Sequence, residues 1–415
     1  MRAAEPAPGT FTAEHRDSLF AALAHERHIA LAVSGGSDSV AMMRLADMWA
    51  RSNVNPVKLT VLTVDHGLRH EAAEEALQVS TWCKALSLRH HTLQWQGIKP
   101  KTGVQAKARN ARYDLMSEWC VANGVDFLLT AHTLDDQAET VLMRQGRTGT
   151  VESLAGIWEM AQWGGVKLFR PLLGQRRSAL RNYLDQIGQT WIDDPSNDDV
   201  KFERVRVRKA LATELRPDQR MAELADIASA AGRTARALVA AAAQWVQQHL
   251  VSYPEGYGVI PRPAFCHLEA GLQRRVLQQL IRLYGAGNRV GPSELDGISA
   301  WILGDGLQHR TLGGAVMAGR KHTVAFGREA GRVSAVPTPV PESGEVLWDG
   351  RFMVKAPPGS QVVAVANLTG LARRKDIPSF VQQAMPAILL HDGSAKVPHL
   401  GLGQGTSAKF IRYLR

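Results

Sequence analysis

Cysteine is scarce in this 415-residue chain: Cys83, Cys120 and Cys266 are an odd number, widely spaced, and form no C-x-x-C pair. That excludes a disulfide framework and a sequence-local zinc or iron–sulfur site, and leaves three reduced core thiols. Long apolar runs are missing too, and the opening MRAAEPAPGTFTAEH carries proline and acid but no apolar h-region. Neither a bilayer span nor a signal peptide is therefore expected, which makes the cytoplasm the default setting. Internal repeats are absent. Acid is in the minority: 39 Asp and Glu face 49 Lys and Arg, a formal net charge of +10 that favours an anionic partner, nucleic acid first.

What is present has the composition of a soluble globular protein, 45% apolar and 21% charged, and a length that calls for two or three domains. Apolar runs at 28–33, 58–64 and 127–130, with a shorter alternating segment at 90–95, are separated by helical stretches. Strand and helix in alternation predict a doubly wound parallel α/β sheet. Near residue 220 the alternation stops, and Ala-rich 221–250, 268–284 and 295–303 predict a helical middle domain. Pro337, Pro339 and Pro341 mark 331–345 as a linker, and short alternating runs after it predict a small β-rich end. The expected domains are 1–218, 219–330 and 346–415.

The first run ends in LAVSGGSDS at 31–39. Gly35 and Gly36 allow positive φ and close approach to the backbone, while Ser37, Asp38 and Ser39 can cap the next helix and leave its first N–H groups for a ligand. Such a turn suits a phosphate. It is no nucleoside-triphosphatase P-loop, since no Gly-Lys-Ser/Thr follows, and no dinucleotide fingerprint, since Gly-x-Gly-x-x-Gly is absent. An ordinary well-capped turn fits the same residues. Two further polar clusters, DHGLR at 65–69 and TAHTLDDQAET at 130–140, also follow strands, so all three should meet at one sheet edge, where such folds bind ligands. In the latter, His132, Asp136 and Glu139 share one helical face. Carboxylates so close need a cation, a metal or an amine, unless they merely complement the helix dipole in solvent. Arg109 and Arg112 stand at i,i+3, where they could grip phosphate or simply line an exposed face.

SGGSDS at 34–39, DHGLR at 65–69, ARNARY at 108–113, TAHTLDDQAET at 130–140, RPLL at 170–173 and WIDDPSND at 191–198 occur in an order that resembles the tRNA(Ile)-lysidine synthetase family of the PP-loop (N-type ATP pyrophosphatase) superfamily. The resemblance covers the first 220 residues motif by motif, and the helical middle and β-rich end match the family's layout. It implies an adenine nucleotide alpha hydrolase-like fold and a two-step ligation. ATP adenylates the C2 oxygen of the wobble cytidine in a CAU-anticodon tRNA(Ile) with loss of pyrophosphate, and the ε-amine of L-lysine then attacks C2 and displaces AMP, changing the tRNA's identity from methionine to isoleucine.

The resemblance also implies roles. Ser34, Gly35, Gly36, Ser37, Asp38 and Ser39, with Asp65 and His66, would bind ATP, and Asp38 would sit near Mg²⁺. His132, Asp136 and Glu139 would receive lysine, and Arg112 would steady the adenylated intermediate. Between 201 and 220, seven Lys and Arg face three Asp and Glu. Arg204, Arg206 and Arg208 are expected to hold tRNA phosphates, with pairing to upstream aspartates as the other reading. A homodimer would fit the family. Two departures stand out: Val205 replaces the usual Asn, and Arg147-Thr148-Gly149-Thr150 replaces Arg-Gly-Ser-Gly. A tRNA thiolase would bring cysteine pairs, a silent tRNA-binding protein would have lost Asp38 or the acidic helix, and an amidotransferase would need a glutaminase domain. None of these is in the sequence.

Overall fold

The computed structural model describes residues 11–411 apart from 54–55, 68–70, 97–103, 146–149, 194–199, 202, 286–289, 305 and 372. Leu68, Arg69, the 147–149 departure and residues 194–198 of WIDDPSND, the whole of DPSN among them, thus lie outside the described residues. The chain forms two compact units, 1–235 and 236–415.

The first unit runs α1 (Ala13–Leu19), β1 (His28–Ala32), α2 (Ser37–Ser52), β2 (Lys58–Asp65), α3 (Glu71–Ala85), β3 (Arg89–Gln94), α4 (Val104–Ala122) and β4 (Phe127–Leu129). It continues with α5 (Leu134–Gln145), α6 (Val151–Leu154), β5 (Met160–Trp163), β6 (Val166–Phe169), α7 (Arg177–Gln186), α8 (Glu203–Ala212) and the start of α9 (Pro217–His249). Six strands in the order β3-β2-β1-β4-β6-β5 make one sheet. All neighbours are parallel except β5, which returns on β6 through Gly164 and Gly165, at φ 54° and 90°. Two successive positive φ values are what a tight two-residue hairpin needs. Ile29, Leu31, Val61 and Leu129 are buried with α2 and α7 on one face, while Leu62, Leu128 and Leu168 pack with Tyr113, Met116 and Cys120 of α4 on the other. Covered on both faces, these strands read as continuous apolar runs rather than alternating ones. Chain order reverses between β1 and β4, so a crevice opens beyond their carboxyl ends.

In the second unit, the expected helices are there as the rest of α9, α11 (Ala270–Tyr284) and α12 (Pro292–Leu303), with a five-residue α10 (Arg262–Cys266) outside the expected stretches. They share the unit with an antiparallel sheet that their composition does not announce, built from β7 (Val251–Tyr253), β8 (Tyr257–Pro261), β9 (His309–Leu312), β10 (Ala315–Gly319) and β11 (Thr323–Arg328). These strands are only three to six residues long, too short for a clear period-two signal.

The β-rich end follows as β12 (Thr338–Pro339), β13 (Glu345–Trp348), β14 (Phe352–Lys355), β15 (Gln361–Ala364), α13 (Ser379–Gln383), β16 (Pro386–Leu389), β17 (Ala395–Lys396) and β18 (Ser407–Phe410), in sheets of four and three strands. The proline-rich stretch 331–345 is built into it. Thr338 and Pro339 pair with β15 at a sheet edge, where a missing N–H is tolerated, and Val340 is buried. Arg328 and Arg351, both buried, converge on Asp349, tying β11 to the turn before β14.

Cys83 and Cys120 are buried and free, their thiols pushed by burial up to about 12, while Cys266 is partly accessible. Iodoacetamide at about pH 8 should therefore label Cys266 alone in the native protein and all three after denaturation. Native labelling of Cys83 or Cys120, read by peptide mass spectrometry, would contradict the packing.

Candidate active site

The loop after β1 is shaped by its glycines. Gly35 has φ +95°, and a Cβ there would lie 2.6 Å from Ile192 Cδ1. Ile192 N donates to the Gly35 carbonyl at 2.9 Å, so the 191–193 segment lies against the loop. Gly36, not a serine, is the N-cap of α2, with no side-chain cap. The expected capping by Ser37, Asp38 and Ser39 thus does not occur: Ser39 Oγ donates to the Gly36 carbonyl and accepts from Ser34 N. First-turn N–H groups without a side-chain acceptor are a seat for an anion.

A cavity of about 800 Å³ opens here, lined by Ser34, Gly36, Ser37, Asp38 and Ser39, by His66, by Arg112, and by His132 and Asp136. That is ample for a nucleotide. Gly35 shapes the loop from behind, and the Asp65 carboxylate accepts from Gly67 N at 2.9 Å within its own turn, so neither lines the cavity. Arg112 makes no hydrogen bond or ion pair among the described residues, and burial lowers its pKa. Its neighbour Arg109 turns to His132 Nε2 at 3.3 Å. A guanidinium only donates, so Nε2 accepts and the proton sits on Nδ1, facing Thr130 Oγ1 at 3.1 Å. Burial, with Arg170, Arg109 and Arg204 nearby and Asp136 opposing, brings His132 down to about 3 and keeps it neutral.

The two adjacent aspartates divide their work. Asp135 accepts from Arg177 N at 2.8 Å and anchors the start of α7. Asp136 turns inward, accepting from Thr133 N and Oγ1 at 2.8 and 2.9 Å. Burial alone would raise its pKa, but Arg177 and Arg204 carry it below the ordinary carboxylate range.

Sequence reading missed Arg177, the guanidinium at the centre of this site. It reaches Asp38 Oδ2 at 2.8 Å, Asp136 Oδ1 at 3.2 Å and Glu139 Oε1 at 3.7 Å. One turn on, Arg181 meets Ser37 Oγ at 3.3 Å and Asp193 at 3.1 Å. The available signal was the Arg-Arg pair directly after RPLLGQ, in a helix start facing two acidic motifs.

The arginines expected to hold tRNA are partly committed to the protein. Arg204 binds Glu139 at 2.7 Å and Asp136 at 3.2 Å, and Arg208 binds Glu139 at 2.7 Å. Arg206 is exposed and donates to the carbonyls of Val200 and Lys201. A glutamate side chain only 2% exposed is costly to bury without such partners, and α8 turns two arginines towards it. Val205, between them, is buried, so that departure from the family pattern faces the interior.

A PP-loop domain profile matches residues 10–215, the span that carries all of these side chains. The chain is 37% identical over 343 residues to a tRNA(Ile)-lysidine synthase of Ruegeria pomeroyi, covering 80% of this chain and 77% of the relative. A protein of the same name from Mesorhizobium japonicum is 34% identical, with 90% and 84% covered, and one from Rhodopseudomonas palustris is 42% identical, with 66% and 78% covered. Similarity at this level across most of both chains, extending beyond the PP-loop unit, shows that the chain belongs to the tRNA(Ile)-lysidine synthase family.

Proposed function

We propose that the chain joins L-lysine to C2 of the wobble cytidine of CAU-anticodon tRNA(Ile), with ATP as the energy source, and that the two steps use the two ends of one cavity. The observation that carries this reading is the placement of Asp38 and of the Asp136–Glu139 pair on either side of Arg177.

In the first step the cytosine oxygen attacks the α-phosphorus, the bond to the β-phosphate bridge breaks, and pyrophosphate leaves. The N-terminus of α2 and Arg181 suit the departing pyrophosphate, and Arg112, without an acid of its own, suits the adenylate. Asp38 is the group that would hold Mg²⁺. Burial raises its pKa while Arg177 opposes the rise, so cationic company is what keeps it ionised. No cluster of three metal-binding side chains occurs among the described residues. The ion would thus take its other oxygens from phosphates and water, a habit of Mg²⁺, and when bound it would neutralise charge on the leaving group.

In the second step the ε-amine attacks C2, the C2–O bond breaks, and AMP leaves. Asp136 and Glu139 are placed to draw in the cationic side chain, which must lose a proton before it attacks. His132 is better suited to holding Arg109 than to accepting that proton, because it is already a poor base. The exposed Arg206 suits contact with the tRNA backbone. The reading places the enzyme in the cytoplasm; no helix among the described residues is long and apolar enough to cross a membrane. No cysteine lines the cavity among the described residues, so nothing favours thiolation.

Radiolabelled lysine incubated with ATP and the two CAU tRNAs should label the isoleucine tRNA alone. Label in the methionine tRNA, or in neither, would refute the reading. Asp136→Asn and Glu139→Gln should raise the lysine KM at least tenfold while tRNA-dependent pyrophosphate release persists, and an unchanged KM in both would remove the amine seat. Finally, with Asp136 ionised and His132 neutral, log kcat/KM for lysine should show no inflection at about pH 6 to 7, the ordinary histidine range. An inflection there that disappears in His132→Asn would contradict the assigned protonation.

A further inference from the structure

A second cavity of about 260 Å³ adjoins the first and shares His132 and Arg204 with it. Its charged lining is Arg109, Arg144 and Arg204, with no carboxylate among the described residues. Arg144 donates to the Gly156 carbonyl at 2.9 Å and Arg109 to the neutral His132, so among the described residues neither is neutralised by an acid. Three guanidiniums and no acid in a small open pocket specify an anion, and an RNA phosphodiester is the anion that a bound tRNA brings beside its target base.

Arg204 belongs to two charge sets. On the inner side, three carboxylates, Asp38, Asp136 and Glu139, are balanced by three guanidiniums, Arg177, Arg204 and Arg208. The ammonium of lysine would make a fourth cation against three anions, an addition that a buried site disfavours. Glu139 is almost wholly enclosed at 2% exposure, whereas Arg204 and Arg208 are about equally exposed, and of the two only Arg204 lines the second cavity and has a place to swing to. Were it to turn to a phosphate, Glu139 would keep Arg208 and Arg177, and the vacated charge would be replaced by the ammonium one for one.

We propose that the second cavity seats a backbone phosphate flanking the target cytidine, and that this phosphate draws Arg204 off Asp136 and Glu139 to open the lysine seat. Arg204 is then a positioning residue that links tRNA binding to amine binding. Lysine binds weakly until the correct polyanion is in place, and by reciprocity lysine tightens the tRNA. The inference rests on the amine seat proposed above.

Isothermal titration of lysine into the full chain, with and without an unmodified CAU-anticodon tRNA(Ile) transcript and without ATP, measures the link. In the wild type the transcript should tighten lysine by about fivefold or more, the usual floor of such couplings. Arg204→Gln should raise the affinity for lysine without tRNA towards the tRNA-bound value and bring the ratio close to one. Arg109→Ala/Arg144→Ala should leave lysine affinity without tRNA unchanged, reduce the ratio, and flatten the salt dependence of tRNA binding by up to about two units. Arg204→Lys, which keeps charge but loses the fork, should fall between, and guards against a misfolded glutamine variant. An Arg204→Gln or Arg204→Lys protein that melts like the wild type and retains the full ratio, or that binds lysine less well without tRNA, overturns the latch. Lysine binding left at the wild-type affinity by both Asp136→Asn and Glu139→Gln would instead overturn the amine seat, and the latch with it.

Discussion

One guanidinium holds this candidate active site together. Arg177 meets Asp38 from the nucleotide loop and Asp136 and Glu139 from the acidic helix, three acids that would repel one another and resist burial without it. Its backbone is fixed as firmly as its side chain, because Asp135, the neighbour of Asp136, accepts from Arg177 N. The same helix start therefore orients the arginine and is neutralised by it. Most of the sheet's architecture serves this meeting: β1 and β4 are adjacent and parallel, so the loops that follow them emerge side by side at the reversal in strand order.

Around that point charge is deliberately uneven. Towards the nucleotide loop stand the N-terminus of α2, Arg181 and Arg112, which has no acid partner among the described residues, a setting for phosphates. Towards α8 stand two carboxylates under three arginines. His132 lies between, stripped of basicity by burial and by neighbouring arginines, with its Nε2 accepting from Arg109. A reaction that first expels an anion and then admits a cation suits a cavity polarised in this way.

Much of this was legible in the sequence, and what was not has physical reasons. The parallel sheet announced itself because buried strands are uniformly apolar, and the loops at 34–39 and 130–140 because glycines and acids at strand ends are hard to explain otherwise. Asp38, Asp136, Glu139, His132 and Arg112 were all found by type and spacing, and the structure brings them within one constellation. Arg177 escaped because its importance lies in contacts to residues 38 and 136 to 139, which no local pattern encodes. The basic run at 201–209 was ambiguous for the opposite reason: a helix has two faces, and local charge count does not say that Arg204 and Arg208 point inward while Arg206 points out. Strands β7 to β11 were hidden by brevity, and the prolines at 337–341 mark a sheet edge as readily as a tether.

If Arg177 couples the two ends of the cavity, its loss must damage both half-reactions, although each has its own substrate. The direct measurement is Arg177→Met, with Arg177→Lys as a folded comparison, assayed separately for tRNA-dependent pyrophosphate release without lysine and for transfer of lysine to preformed adenylated tRNA. Both rates should fall by at least about a hundredfold in Arg177→Met, with partial recovery of both in Arg177→Lys. A folded Arg177→Met protein that retains either half-reaction near the wild-type rate would show that the two ends work independently.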